Sequence, residues 1–183
     1  KYSIIFDGTN YSIGMGKALK VVNYIDSVQF ANKKLFLSAS AGSVIGSDNH
    51  DLIFGNSDNN QIDGGVGDDE INGLAGADQL TGGTGSDQFI FSTTFSSTNI
   101  DTITDFVSGT DQLVIHKSLL GDVYRTAPKS LINDFIASTN PIALDKTDRF
   151  LYNTNTGVVS YDADGSGTGD AVAIVTLIGK PTL

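Results

Sequence analysis

From Gly46 to Ile90 the chain repeats a nine-residue pattern in which one apolar position follows a run of glycine, aspartate and asparagine. Cut every nine residues, the segment reads GSDNHDLIF, GNSDNNQID, GGVGDDEIN, GLAGADQLT and GGTGSDQFI. The first position is always glycine: Gly46, Gly55, Gly64, Gly73 and Gly82. The fourth is Asn49, Asp58, Gly67, Gly76 and Gly85, residue types that tolerate a left-handed backbone. The sixth is Asp51, Asn60, Asp69, Asp78 and Asp87, and the eighth is Ile53, Ile62, Ile71, Leu80 and Phe89. This spacing predicts a six-residue turn followed by a very short strand whose middle side chain points inward. One unit cannot bury its single apolar residue, whereas stacked units bury a column of them, so the segment reads as a solenoid.

The flanks also read as β-rich. Residues 1–45 alternate weakly (YSIIF, YSIG, then VQFANKKLFLSAS), which predicts strands that lead into the solenoid and cap its first coil. Leu35 and Val44 keep the inward column in phase for two more nonads, and their turns lack aspartate, so these coils are expected to be metal-free. After the repeats, IDTITDFVSGTDQLVI predicts strand, turn and strand around Ser108-Gly109-Thr110. PKSLINDFIAS, from Pro128 to Ser138, reads as a short helix with Leu131, Ile132, Phe135 and Ile136 on one face. The stretch DRFLYNTNTGVVSYDADGSGTGDAVAIVTL reads as three strands and two tight loops. The chain is thus expected to be mainly all-β, with an N-terminal cap over 1–45, a roll over 46–91 and a capping region over 92–183.

Charge gives the repeats their chemistry. The 183 residues carry 21 acidic and 11 basic side chains, a net charge of −10, which repels phosphate backbones and argues against nucleic acid. Acidity alone reads as solubility, but the 21 glycines cluster with Asp and Asn, which turns the carboxylates into candidate cation ligands. Turn carbonyls plus one carboxylate per unit make a hard oxygen donor set, suited to calcium and not to zinc. Cysteine is absent, so neither disulfides nor thiolate sites are available. No apolar run approaches the roughly 20 residues of a membrane helix, and no secretory leader pattern opens the chain at Lys1.

With its glycine, aspartate and apolar columns, the segment resembles the hemolysin-type calcium-binding repeats of RTX proteins. The resemblance implies a short right-handed parallel β-roll in which one coil holds two nonads. Loops on the same side are then two repeats apart, with calcium between neighbours. It places Asp51, Asp69 and Asp87 on one side and Asn60 and Asp78 on the other. Up to three ions follow, between 51 and 69, between 69 and 87, and between 60 and 78. Main-chain carbonyls at Gly65, Gly67, Gly83 and Gly85 would complete their shells. The first two repeats depart from the pattern at positions two and four, and Asn60 replaces an acid, so their sites are expected to be weaker or empty.

Two further acidic stretches also resemble RTX proteins. Asp101, Asp105 and Asp111 surround the turn after the last repeat, either as another calcium site or as a plain acidic strand–turn–strand. Asp162 and Asp164 open a loop with an EF-hand-like start, but Ala173 stands where the bidentate glutamate belongs, and the flanks are strands. That loop is either a looser calcium site or a solvated hairpin turn. The chain ends in Lys180-Pro181-Thr182-Leu183, not in the acidic-then-aliphatic tail that often closes family members.

The sequence argues against an enzyme. It contains no HExxH, no GxSxG and no GxxxxGK[ST], and the fragment Gly14-Met15-Gly16-Lys17 is too short for a phosphate loop. Its two histidines, His50 and His116, read as solvated or structural. A glycosidase-type carboxylate pair is the remaining enzymatic option. The resemblance implies a secreted, calcium-dependent folding and export module that crosses a type I secretion machinery unfolded. Such modules often follow an adhesin, toxin or enzyme part. A surface-polysaccharide or adhesin-attachment module is the alternative, weakened by the absence of Trp.

Overall fold

The computed structural model describes residues 43–120 and 134–183 throughout, and upstream of these the strands Ser3–Phe6 (β1), Tyr11–Gly14 (β2), Ser27–Gln29 (β3) and Lys34–Leu37 (β4). The roll comprises Ser43–Ile45 (β5), Asp51–Asn56 (β6), Gln61–Val66 (β7), Glu70–Leu74 (β8), Gln79–Thr84 (β9) and Gln88–Phe91 (β10). Beyond it lie Asp101–Ile103 (β11), Gln112–Ile115 (β12), a 3-10 turn at Lys117–Leu119, Phe135–Ser138 (β13), Phe150–Asn153 (β14), Val158–Tyr161 (β15) and Val172–Leu177 (β16). Among the described residues no α-helix occurs.

Successive repeats alternate between two sheets. One sheet has the order β12-β10-β8-β6-β4-β3, the other β13-β14-β15-β16-β11-β9-β7-β5. Each full coil therefore contains two nonads, and same-side neighbours pair in parallel. Ile53 lies opposite Ile71, Ile71 opposite Phe89, Val44 opposite Ile62 and Ile62 opposite Leu80. The position-eight side chains of all five repeats are at most 2% exposed. Two inward columns, one per sheet, thus form the core that no single nonad could bury.

The pairing continues after the repeats stop. β11 adds to β9 with Ile103 opposite Leu80, and β12 adds to β10 with Leu113 opposite Phe89. Phe106 then packs on Phe89, with ring centroids 6.2 Å apart, and shields that end of the column. β16 pairs in parallel with β11, and β14, β15 and β16 form an antiparallel meander. Phe150, Tyr152, Val159, Tyr161, Ile174 and Val175 of this cap continue the apolar core formed by the roll's inward columns. Tyr152 and Tyr161 are buried and donate their hydroxyls to the carbonyls of Pro181 and Leu120.

Three sequence expectations need correction. Phe135–Ser138 is a strand, parallel to Phe150–Asn153, not the end of a helix; residues 128–133 lie outside the described part. The apolar spacing there suited a helix, but an available sheet edge supplies the backbone partners, and Phe135 stacks near Tyr152. Upstream, Phe36 and not Leu35 stands opposite Ile53, so the nonad phase slips by one residue between β4 and β6. β4 also pairs antiparallel with β3, so it belongs to a hairpin as well as to a coil. Of the two cap loops only the first is tight; the second runs from Asp162 to Ala171.

The inward column sets a stability expectation. Ile71 is fully buried, so Ile71→Ala should destabilise the calcium-loaded protein by about 2–5 kcal/mol. The exposed Gln79→Ala should change it by less than about 0.5 kcal/mol. Urea unfolding followed by circular dichroism checks both.

Candidate metal centre

The turns place the position-six residues in two stacked ladders. On one side the Asp51 N–H donates to Asp69 Oδ1 (2.7 Å), the Asp69 N–H to Asp87 Oδ1 (2.9 Å), and the Asp87 N–H to Asp111 Oδ1 (3.1 Å). On the other side the Asn60 N–H donates to Asp78 Oδ1 (2.7 Å) and the Asp78 N–H to Asp101 Oδ1 (3.0 Å). Asp51, Asn60, Asp69, Asp78, Asp87 and Asp101 are all buried. Asp101 and Asp111, though outside the nonads, therefore continue the ladders. The larger sequence steps of 23 and 24 residues, against 18 within the repeats, are taken up by the loops before them.

The second oxygen of each carboxylate separates the turns into two kinds. Asp69 Oδ2, Asp78 Oδ2 and Asp87 Oδ2 are buried and have no hydrogen-bond partner. Their turns carry left-handed residues at positions two and four: Gly65 (φ 101°) and Gly67 (φ 126°), Leu74 (φ 70°) and Gly76 (φ 116°), Gly83 (φ 96°) and Gly85 (φ 144°). Position one must also lack a side chain. A Cβ at Gly73 or Gly82 would collide with the Oδ2 of Asp78 or Asp87.

The turns of the first two repeats close on themselves. The Ser47 N–H donates to Asp51 Oδ2 (2.6 Å), and the Ser47 hydroxyl adds a bond at 2.9 Å. The Asn56 N–H donates to Asn60 Oδ1 (2.8 Å). The position-two carbonyls of these turns are also engaged: Ser47 O accepts from Val66 N–H and Asn56 O from Ala75 N–H. Asp111 shows the same closure, accepting at Oδ2 from Val107 N–H at 2.7 Å. In each case a main-chain N–H four residues upstream does what an added cation would do.

A buried, donorless carboxylate oxygen is costly when ionised. Burial is the main reason that Asp69 and Asp78 are pushed up to about 6 and Asp101 to about 7; it also raises Asp87. Like charges add to this, from Asp87 and Asp51 at Asp69, and from Asp111, Asp105 and Asp68 at Asp87. Three orphaned oxygens in glycine turns fit a hard divalent cation, which would relieve both burial and repulsion. Asp69, Asp78 and Asp87 would hold it; Gly65, Gly67, Gly83 and Gly85, whose carbonyls the resemblance implies as further donors, lie in the turns of the third and fifth repeats.

Several contributors were not anticipated from the repeat pattern. Asp105 binds the last repeat turn through both oxygens, accepting from Gly82 N–H (3.0 Å) and Gly83 N–H (2.8 Å). The loop 92–99 docks on the fourth repeat: the Thr93 hydroxyl donates to Leu74 O (2.6 Å), and Asn99 accepts from Gly76 N–H (2.8 Å). Short polar residues in irregular loops give no periodic signal, so nothing in the spacing marked this loop. Asp162 and Asp164 lie in a separate loop between β15 and β16. There Asp162 Oδ1 accepts from Asp164 N–H (3.2 Å) and Asp164 Oδ2 from Gly169 N–H (3.0 Å). Burial raises the Asp162 carboxyl, while the Gly169 N–H lowers Asp164. His50 and His116 are exposed, bonded to the Asp68 main chain and to Ser118 respectively.

The raised carboxyls fix a pH dependence. In the ion-free fold these groups hold protons that the unfolded chain has already released above about pH 4. Stability of the ion-free roll should therefore fall as pH rises from about 4 through the values near 6 and 7. Calcium affinity should rise over the same window, because protons and metal compete for the same oxygens. Circular dichroism in chelator at pH 5 and pH 8, with calcium titrations at both, checks this; equal chelator spectra would contradict it.

Comparison with known proteins agrees with the geometry. The RTX calcium-binding nonapeptide repeat matches at residues 45–80 and 54–89, with four copies. No curated protein matches the chain. The matched segment contains all three open turns, and repeats of this kind bind calcium ions. Residues 45–89 of this chain are RTX calcium-binding nonapeptide repeats, wound as an all-β parallel roll.

Proposed function

We propose that this chain is a non-catalytic module that folds on calcium outside the cell and so supports type I export of a larger extracellular protein. The observation that carries this reading is the set of three buried, partnerless oxygens on Asp69, Asp78 and Asp87. Without a cation these carboxylates resist burial, and like charges crowd Asp69 and Asp87, against a core limited to one apolar residue per nonad. Bound calcium supplies the missing positive charge. Three ions, each present at about ten times its dissociation constant, would add roughly 4 kcal/mol to the folded state. That is comparable with the whole stability of a small domain. Extracellular modules bind in the ~10⁻⁴–10⁻³ M range, so the chain stays unwound where calcium is scarce and winds where it is plentiful. The family resemblance supports the export role: an unwound chain threads a secretion channel, C-terminus first.

Circular dichroism with excess calcium and with excess chelator tests this directly. The β signal should grow on calcium addition, and an unchanged signal would end the proposal. Asp87→Asn should shift the calcium midpoint at least about tenfold higher, since one amide cannot replace a charged ligand. Asp51→Asn, in a turn already closed by Ser47, should shift it less than about twofold.

One observation favours a second reading, a saccharide-binding module. A groove of about 480 Å³ runs between the even-numbered repeat turns and the loop 92–99. Ser57, Thr94 and Asn59 line it beside Ala75 and Gly76 and offer a polyhydroxylated ligand polar partners, while Thr93, Asn99, Ser96 and Thr98 are bonded within the protein. A glycan array in calcium buffer should then give hits that Thr94→Val or Asn59→Ala abolishes; a blank array removes this reading.

A further inference from the structure

Position two separates the closed turns from the open ones, with one exception. In the closed turns it is Ser47, Asn56 or, beyond the repeats, Val107, and each donates its N–H to the position-six side chain of its own turn. None of these three is left-handed. In two open turns it is glycine, Gly65 at φ 101° and Gly83 at φ 96°, and the Oδ2 of Asp69 and of Asp87 receives no N–H. The fourth repeat departs from this pattern. Its position two is Leu74, which is left-handed at φ 70°, and Asp78 Oδ2 is left without a donor. A leucine Cβ disfavours that conformation, so contacts from elsewhere must hold the residue in it.

A connected set of polar side chains supplies them. The Leu74 N–H donates to Asn72 Oδ1 (3.0 Å), which takes the place of Asp78 as its acceptor. Asn72 is buried, and its Nδ2 donates to the Ser92 hydroxyl (2.9 Å), which orients the amide. The Leu74 carbonyl accepts the Thr93 hydroxyl (2.6 Å). Asn99 completes the set: its Nδ2 donates to Thr93 Oγ1 (3.2 Å), and its Oδ1 accepts from the N–H of Gly76, position four of the same turn (2.8 Å). Ser92, Thr93 and Asn99 all belong to the loop between β10 and β11. The third and fifth repeats have glycine at position two, which adopts the left-handed conformation at no steric cost.

We propose that Asn72 and Thr93 are positioning residues that hold the Leu74 turn open, so that Asp78 Oδ2 is kept for a cation. Released, Leu74 would take the conformation of Ser47 and Asn56, and its N–H would close on Asp78. The cation and this N–H compete for one oxygen, and the loop 92–99 acts as the latch that decides between them. The proposal rests on the calcium reading above and adds a residue set outside the repeats to the control of one site.

Calcium titrations of the full chain, followed by circular dichroism, test this in a cycle of Thr93→Val and Leu74→Gly. Thr93→Val removes the hydroxyl that holds the Leu74 carbonyl, and should raise the calcium midpoint at least about fivefold. In the Leu74→Gly background the same change should raise it less than about twofold, because glycine stays left-handed without the latch. Should Thr93→Val alone fail to fold in saturating calcium, the double variant should still fold there. A midpoint that Thr93→Val leaves unmoved, a shift of equal size in both backgrounds, or a double variant that fails to fold overturns the proposal. A wild-type spectrum that ignores calcium overturns the calcium reading and this proposal with it, and is told apart because it needs no variant.

Discussion

The structure depends on a carboxylate that serves two coils with its two oxygens. One oxygen of Asp69, of Asp78 and of Asp87 accepts the N–H of the position-six residue in the neighbouring coil, which fixes the step between coils. The other faces its own turn, where Asp69, Asp78 and Asp87 find no donor. The same residue thus knits the solenoid and leaves it with uncompensated buried charge. Stacking makes this worse, because the ladder that aligns the coils also aligns the acids. A divalent cation would remove both penalties at once, which is the physical basis of the proposed coupling between calcium and winding.

The ends of the ladder are handled differently from its middle. Ser47 and Asn56 close the first turns with their own N–H groups, and Val107 does the same for Asp111. Asp105 grips the last repeat turn, and Phe106 covers the apolar column beside it. A solenoid needs such terminations because its end coils have a neighbour on one side only. The open turns lie in the third, fourth and fifth repeats, and the closed ones flank them on the Asp51 side. The partnerless carboxylate oxygens are therefore concentrated in the middle of the ladder and not spread along it.

Much of this was legible in the sequence. The glycine, aspartate and apolar columns of period nine reflect three separate demands: no room for a Cβ, a shared carboxylate, and one inward side chain per strand. Because each demand recurs at every coil, each leaves a periodic mark. The difference between the first two turns and the rest was also written there, in Ser47, Asn56, Asn49 and Asp58 at positions that later hold mostly glycine. Contributions made once per molecule leave no such mark. The slip that puts Phe36 opposite Ile53 depends on a hairpin with β3, which periodicity could not anticipate. The helical spacing around Phe135 was overridden by the edge of β14. Arg149 belongs to no periodic pattern, and only the fold brings it to the carbonyls of Asp162 and Ala163.

The most direct measurement is the location of the ions themselves. A crystal grown in millimolar calcium, with anomalous scattering recorded to identify the metal, should show calcium against the Oδ2 atoms of Asp69, Asp78 and Asp87. No ion should sit within the turn closed by Ser47 or the one closed by Val107. Open turns without metal, or an ion displacing the Ser47 N–H from Asp51, would contradict the account.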